Sequence, residues 1–410
     1  MRIATIVPSA GGQFYCENCI RDLSLVRALK AAGHDVFALP MYLPLSVEDP
    51  DFQTAAPVFF GAIRSYLEQK STLFRRLPLR IKDALDAPRL LKWAASRAGS
   101  TRARDLGAMT ISMLSGEQGR QAAGLEQMID WLKQTEKPDV FHLSNALLLG
   151  LIRRLKQEFH VPVVCSLQDE DTWVDAMDPE SAAAVWRLMA ERGAEVDAFI
   201  PVSRYYGGIM GDRMKIPAAK LRVVYPGANP PIPAATLSAD PPVLGYLARR
   251  SVSMGLDRLI EAFIRFKTAE PALQKLRLRI NGGATDDDRS WLATIRARLN
   301  AAGLGSDVDW CEPFDARSRE DFFRSLTVFS VPAPRPEAFG LQALEALAAG
   351  VPVVQPAHGA FPEWLAPTGG GILYPPGDSA QYAEALKSLL LNPERAREMG
   401  RQGRAAVMER

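Results

Sequence analysis

Val328-Phe329-Ser330-Val331-Pro332, then Ala333-Pro334-Arg335-Pro336-Glu337-Ala338-Phe339-Gly340, then Leu341-Gln342-Ala343-Leu344-Glu345-Ala346-Leu347-Ala348-Ala349-Gly350, then Val351-Pro352-Val353-Val354-Gln355 spell out a strand, a loop, a helix and a second strand. The first run is short and apolar, as expected of a buried parallel strand. Pro332, Pro334, Pro336 and Gly340 make a loop of Ala333 to Gly340. The spacing predicts a helix over Leu341 to Ala349, ended by Gly350 at its C′ position. Glu337 then stands in the loop at a strand's carboxyl end, where ligands bind open α/β sheets. The amides of Gly340 and Leu341 lie at a helix N-terminus, a natural seat for phosphate. Glu345 projects one turn further along.

The same alternation runs through the rest of the chain. Ile3 to Pro8 reads as a strand leading into Gly11-Gly12 and an amphipathic helix from about Asn18 to Ala32. Gly33 closes that helix, and His34 to Leu39 opens a second strand; His34 itself is expected to be structural. Asp139 to His142, Val161 to Leu167 and Ala198 to Val202 read as three more buried strands. Residues 226–242 are too proline-rich for a regular element and are expected to be a linker. The pattern then restarts at Val243 to Leu247, Leu276 to Asn281, Val308 to Cys311, Val328 to Val331, Val351 to Gln355 and Gly371 to Tyr374. The fold class expected is therefore α/β, with two Rossmann-like domains built on parallel sheets. Their expected bounds are 1–225, with a helical insertion at about 59–130, and 243–410.

Composition narrows the function classes. With 410 residues, 47% hydrophobic and 23% charged, the chain has the make-up of an ordinary globular protein. A net charge of +2 points to no nucleic-acid partner. No apolar run reaches the roughly 18 residues of a membrane span. The N-terminal apolar stretch is too short for a signal peptide and reads as a first strand. Four cysteines do not make a disulfide scaffold, so the cytoplasm is the expected compartment.

The Pro336 to Val354 string resembles the sugar-nucleotide site of glycosyltransferase family 4, retaining enzymes with the GT-B fold. The resemblance covers nearly the whole chain and is loosest between about Ser46 and Gln134. It implies two Rossmann-like domains facing an inter-domain cleft. It also implies transfer of a sugar from a nucleotide-diphosphate donor to an acceptor with retention, using no metal and no further cofactor. By the same resemblance Glu337 contacts the donor sugar and Glu345 holds the ribose hydroxyls. Arg249, with the Gly340 and Leu341 amides beside Phe339, takes the diphosphate. Gly12 belongs to the glycine loop near that diphosphate, where a missing Cβ lets backbone approach closely. His142 matches the histidine that faces the donor sugar, whereas Ser203 and Gly227 match positions expected to be architectural. The expected catalytic set is Glu337, His142 and Arg249.

One position departs from the pattern. The family carries a lysine five residues after the arginine, and here Met254 stands there. A leaving diphosphate gains negative charge that fixed cations and amides must stabilise, and Arg250 is the neighbouring candidate to compensate. The alternative reading is a sugar-nucleotide-binding protein or partner subunit with weak or lost catalysis. A dinucleotide oxidoreductase would need a Gly-x-Gly-x-x-Gly turn after a strand, and none is present. Base recognition is expected from backbone around Trp310 to Phe314. The donor sugar, the base and the acceptor (a small molecule, a glycan or a lipid-linked group) are not encoded in these motifs.

Three further segments carry chemistry. Asp286-Asp287-Asp288 begins a helix and is expected to serve its dipole rather than a metal. Cys16-Glu17-Asn18-Cys19 is a CxxC that could bind zinc only with two more ligands, or form a redox pair at a helix N-terminus; otherwise these are small residues on the acceptor side. Between residues 70 and 104 basic and apolar side chains interleave. That pattern suits a solvated face over a local core, or peripheral contact with the inner face of a membrane. The family usually carries a further helix after the one read at 393–410, crossing back to the first domain; the expectation here is that this helix is either absent or lies beyond residue 410.

Overall fold

The computed structural model describes residues 1–8, 15–42, 59–60, 103–228, 240–312 and 316–409. The chain divides into two compact units, Met1–Gly12 with Asn18–Tyr225, and Gln13–Glu17 with Pro226–Arg410. Gly11, Gly12, most of the linker and nearly all of the basic segment 70–104 fall outside the described residues.

The first unit holds β1 (Arg2–Val7), β2 (Asp35–Pro40), β3 (Val140–Leu143), β4 (Val163–Leu167) and β5 (Ala198–Pro201). They form one sheet in the order β2-β1-β3-β4-β5, and every pairing is parallel. The helix Glu17–Ala31 packs its apolar stripe on this sheet, with Val26 meeting Ile3, Val36 and Ala38 in a buried cluster. Chain order reverses between β1 and β3, which makes their carboxyl ends the switch point where such sheets bind ligands. Thr5 and His142 are paired across that junction.

The second unit contains β6 (Val243–Leu247), β7 (Arg277–Asn281), β8 (Val308–Trp310), β9 (Val328–Phe329), β10 (Val353–Pro356) and β11 (Gly371–Tyr374). Its sheet runs β11-β10-β9-β6-β7-β8, again all parallel. Here the reversal falls between β6 and β9. The loop after β6 carries Arg249, Arg250 and Met254, and the loop after β9 carries Glu337. One junction thus gathers the second-unit loop positions singled out from sequence.

β9 is shorter than its apolar run suggests. The Gln355 side chain accepts from the Val331 amide at 3.3 Å, and Ser330 Oγ donates to the Val354 carbonyl at 2.6 Å. Side chains replace the ladder just before Pro332, which has no N–H to give it. Among the described residues no helix is long and apolar enough to cross a membrane.

Candidate functional site

The loop after β9 is locked from below by aromatic packing. The Phe339 ring stacks on Trp364 with centroids 5.0 Å apart and planes 15° from parallel. Trp364 Nε1 donates to the Phe339 carbonyl at 2.8 Å. Gly340 comes next at φ +85°, and a Cβ there would stand 2.6 Å from the Phe361 ring. This is a turn only glycine fits, and it starts the helix Leu341–Ala348.

Glu337 is fixed through both its backbone and its carboxylate. Its carbonyl accepts from the Ala360 amide at 3.1 Å, and Oε2 accepts from Gln342 Nε2 at 3.0 Å. Glu345 lies one turn along the same helix and is only 5% exposed. Its Oε1 stands 3.4 Å from Arg319 Nε, and its Oε2 accepts from Tyr15 Oη at 2.7 Å. The Leu341 amide donates to Glu17 Oε2 at 3.0 Å. Phe339, Gly340, Leu341, Glu337 and Glu345 are therefore brought into one short segment, with an amide and two carboxylates as its functional groups.

The cations after β6 are already engaged. Arg249 Nε donates to Asp288 Oδ2 at 2.8 Å and its Nη2 to Thr285 Oγ1 at 2.8 Å. Asp288 also closes the Thr285 capping box, so one aspartate of the acidic run starts a helix and orients an arginine. Arg250 is buried, pairs with Glu312 at 2.7 Å and donates to the Cys311 carbonyl at 2.6 Å. Gly255, next to Met254, packs against the Pro332 carbonyl so closely that a Cβ would sit 2.0 Å from it. Arg258, in the next helix, contributes with burial to holding the His358 imidazole below its ordinary pKa, burial being the larger cause. It also lines a cavity of about 290 Å³ with Tyr374 and Asp378.

In the first unit His142 is buried at the end of β3, with Nε2 2.8 Å from Ser166 Oγ. Burial, and then the Arg21 charge, push its imidazole down to about 3, so it is neutral at physiological pH. An unfolded histidine takes its proton near pH 6.5. The stability this group contributes is complete above that value and is lost as pH falls toward 3. Relative to wild type, His142→Gln is expected to gain about 1.4 kcal/mol per pH unit on acidification below 6.5. Chemical denaturation of both proteins at pH 7, 6 and 5 checks this, and parallel pH profiles would contradict it.

Sequence reading misses several residues here. Arg21 Nη2 donates to Asp22 at 2.6 Å and to the Ser144 carbonyl at 2.8 Å. Glu170 accepts from the Ala146 and Gln168 amides and from Tyr206 Oη, yet burial lifts its carboxyl to about 7. In the second unit Tyr15, Glu17 and Arg319 escape because nothing in the sequence ties them to Glu345 and Leu341, hundreds of positions away in the case of Tyr15. The acidic cluster after β4 is the one available signal. Cys16 and Cys19 are both disulfide-bonded, whereas Cys165 and Cys311 are free thiols. The CxxC is thus closed on itself, not open for a metal. Among the described residues no group of three or more His, Cys, Asp or Glu is placed to hold a metal ion.

Comparison with known proteins bears on the family and the fold. A family model described as "Glycosyl transferase 4-like domain" matches residues 21–227, and one described as "Glycosyl transferases group 1" matches 231–406. The D-inositol 3-phosphate glycosyltransferase of Stackebrandtia nassauensis is 32% identical over 219 residues, half of this chain. The chain spans 48% of that relative's length. Sucrose-phosphate synthase of Thermosynechococcus elongatus superimposes with a TM-score of 0.72 at 20% identity, over 100% of this chain and 94% of that one. Anabaena Alr3699/HepE, solved in complex with UDP, gives 0.67 at 15% identity over 100% and 95%. Those likenesses establish the GT-B fold. The first family model alone takes in just over half of the residues, and the chain belongs to the glycosyltransferase 4-like family.

Proposed function

We propose that this protein moves a sugar from a nucleoside-diphosphate sugar to an acceptor, with retention at the anomeric carbon and without a resident metal. The observation that carries this reading is the second-unit switch point. There the Leu341 amide opens a helix, the buried Glu345 carboxylate stands further along it, and Glu337 precedes it in a rigid turn. An amide at a helix start suits a phosphate oxygen. A buried carboxylate suits the paired hydroxyls of a ribose. In this reading Arg249 supplies positive charge to the diphosphate, oriented by Asp288, and Arg258 is the cation nearest in role to the lysine that Met254 replaces. Glu337 positions the sugar, and His142, neutral, offers its ring to the sugar's hydroxyls. Gly12 and Arg250 keep the donor-side roles that the sequence suggests. The acceptor approaches over the first unit. D-inositol 3-phosphate, named in the relatives, is the first acceptor to test, and a small glycan or lipid-linked group is the next class.

Calorimetric titration with UDP, GDP and ADP tests the donor site. One nucleotide is expected to bind, and Glu345→Ala is expected to weaken it by about 10- to 100-fold through loss of charge-assisted hydrogen bonds. Binding of none of the three, or equal binding by the variant, would contradict the assignment. The second reading, a nucleotide-sugar-binding subunit without turnover, is favoured by Met254 and by the engagement of Arg249 and Arg250. It predicts the same titration with no sugar transfer.

A further inference from the structure

Tyr15 and Glu17 group with the second unit, and each makes a side-chain contact there with a group assigned above to the donor. The Tyr15 amide donates to the Gly282 carbonyl at 2.7 Å, which fixes the segment on the unit. Tyr15 Oη then donates to Glu345 Oε2 at 2.7 Å, with the ring 5% exposed and the Arg319 guanidinium 5.9 Å from its centroid. Two residues later, Glu17 Oε2 accepts from the Leu341 amide at 3.0 Å. A hydroxyl thus rests on the carboxylate meant for ribose hydroxyls, and an anion rests on the amide meant for phosphate. The two substitutions match in chemistry and arise from a single short segment.

We propose that Tyr15 and Glu17 are an internal mimic of the nucleoside diphosphate, occupying the ribose and phosphate seats until a donor displaces them. This rests on the donor-site reading above. Burial, and then the Glu345 charge, hold the Tyr15 phenol well above its ordinary pKa, so it remains a hydrogen-bond donor throughout the physiological range. A ligand that binds only the opened form has its apparent affinity reduced by the fraction of molecules that are open. Residues 15–17 would therefore set the threshold donor concentration, and substitutions that weaken the mimic would tighten nucleotide binding.

Tyr15→Phe is the decisive variant, because it removes one hydroxyl, changes no charge and keeps the ring. It is expected to bind UDP (or whichever nucleotide wild type prefers) about tenfold more tightly than wild type. Glu17→Gln is expected to tighten binding too and serves as the second variant if the first is poorly folded. Stopped-flow mixing adds a kinetic readout: the wild-type association rate should level off with nucleotide concentration, and the Tyr15→Phe plateau should lie higher. Titrating wild type, Tyr15→Phe and Glu345→Ala together separates the two claims. If Glu345→Ala loses binding while Tyr15→Phe binds no more tightly than wild type, the mimic is overturned and the donor site stands. If neither wild type nor Tyr15→Phe binds any nucleotide, the donor site falls and the mimic with it. Binding by Tyr15→Phe where wild type shows little supports both.

Discussion

Glu337→Gln is expected to lower the turnover number by about 10²- to 10³-fold while leaving nucleoside-diphosphate affinity within about threefold. The substitution keeps the side chain's size and removes its charge. The loop that carries it is held by the Ala360 amide on the Glu337 carbonyl and by Gly359, where a Cβ would stand 2.5 Å from that carbonyl. The backbone therefore stays in place and the measurement isolates the carboxylate. Its partner Gln342 is fully buried and retains hydrogen-bonding capacity toward an amide. Because Glu337 is assigned to the sugar, its charge matters when positive character develops at the anomeric carbon, not when the nucleotide docks. Steady-state kinetics with titration on the same preparation checks the split. Unchanged turnover, or a loss confined to affinity, would move Glu337 out of the reacting centre.

Gly340→Ala carries the largest expected effect on stability. The residue sits at φ +85°, and the added Cβ would approach the Phe361 ring to 2.6 Å and Glu337 Oε2 to 3.0 Å. A left-handed alanine and an overpacked contact with a buried ring each cost energy, together about 3 kcal/mol. For a unit of this size that amounts to a fall of roughly 6–12 °C in the second unit's melting temperature. The same shift displaces Glu337 and the Leu341 amide, so nucleotide affinity should fall with it. Phe361→Leu in the Gly340→Ala background relieves the steric part and leaves the backbone part, so partial recovery is expected in a double-mutant cycle. A melting temperature unchanged in Gly340→Ala would show that the turn is not the constraint described.

These two residues are legible in the sequence because their surroundings are local. Pro336, Gly340 and Gly350 punctuate a strand, loop and helix whose roles follow from neighbouring positions, and the α/β alternation points to both parallel sheets. The rest is hidden by distance along the chain. The partners of Glu345 are Tyr15 and Arg319, and Tyr15 is 330 positions away. No spacing rule links a tyrosine three positions after Gly11-Gly12 to a carboxylate in the other half of the sequence. Trp364, which holds the Phe339 carbonyl, is similarly invisible until β10 has folded back. Arg249 reads as a cation and Asp288 as a helix-start residue, each from local chemistry, and their ion pair needs the β6–β7 pairing to form. The apolar run overstates β9 because apolarity is visible in the sequence, whereas the capture of its ladder by Gln355 and Ser330 is not.

Sugar transfer is tested by ¹H NMR of UDP-glucose, GDP-mannose and ADP-glucose incubated with the protein and D-inositol 3-phosphate, then with a wider acceptor panel. Consumption of one α-linked donor, release of its nucleoside diphosphate and growth of an α-anomeric product signal are expected. A β-anomeric product would contradict retention. No consumption of any donor by a protein that binds the nucleoside diphosphate would contradict the transferase itself.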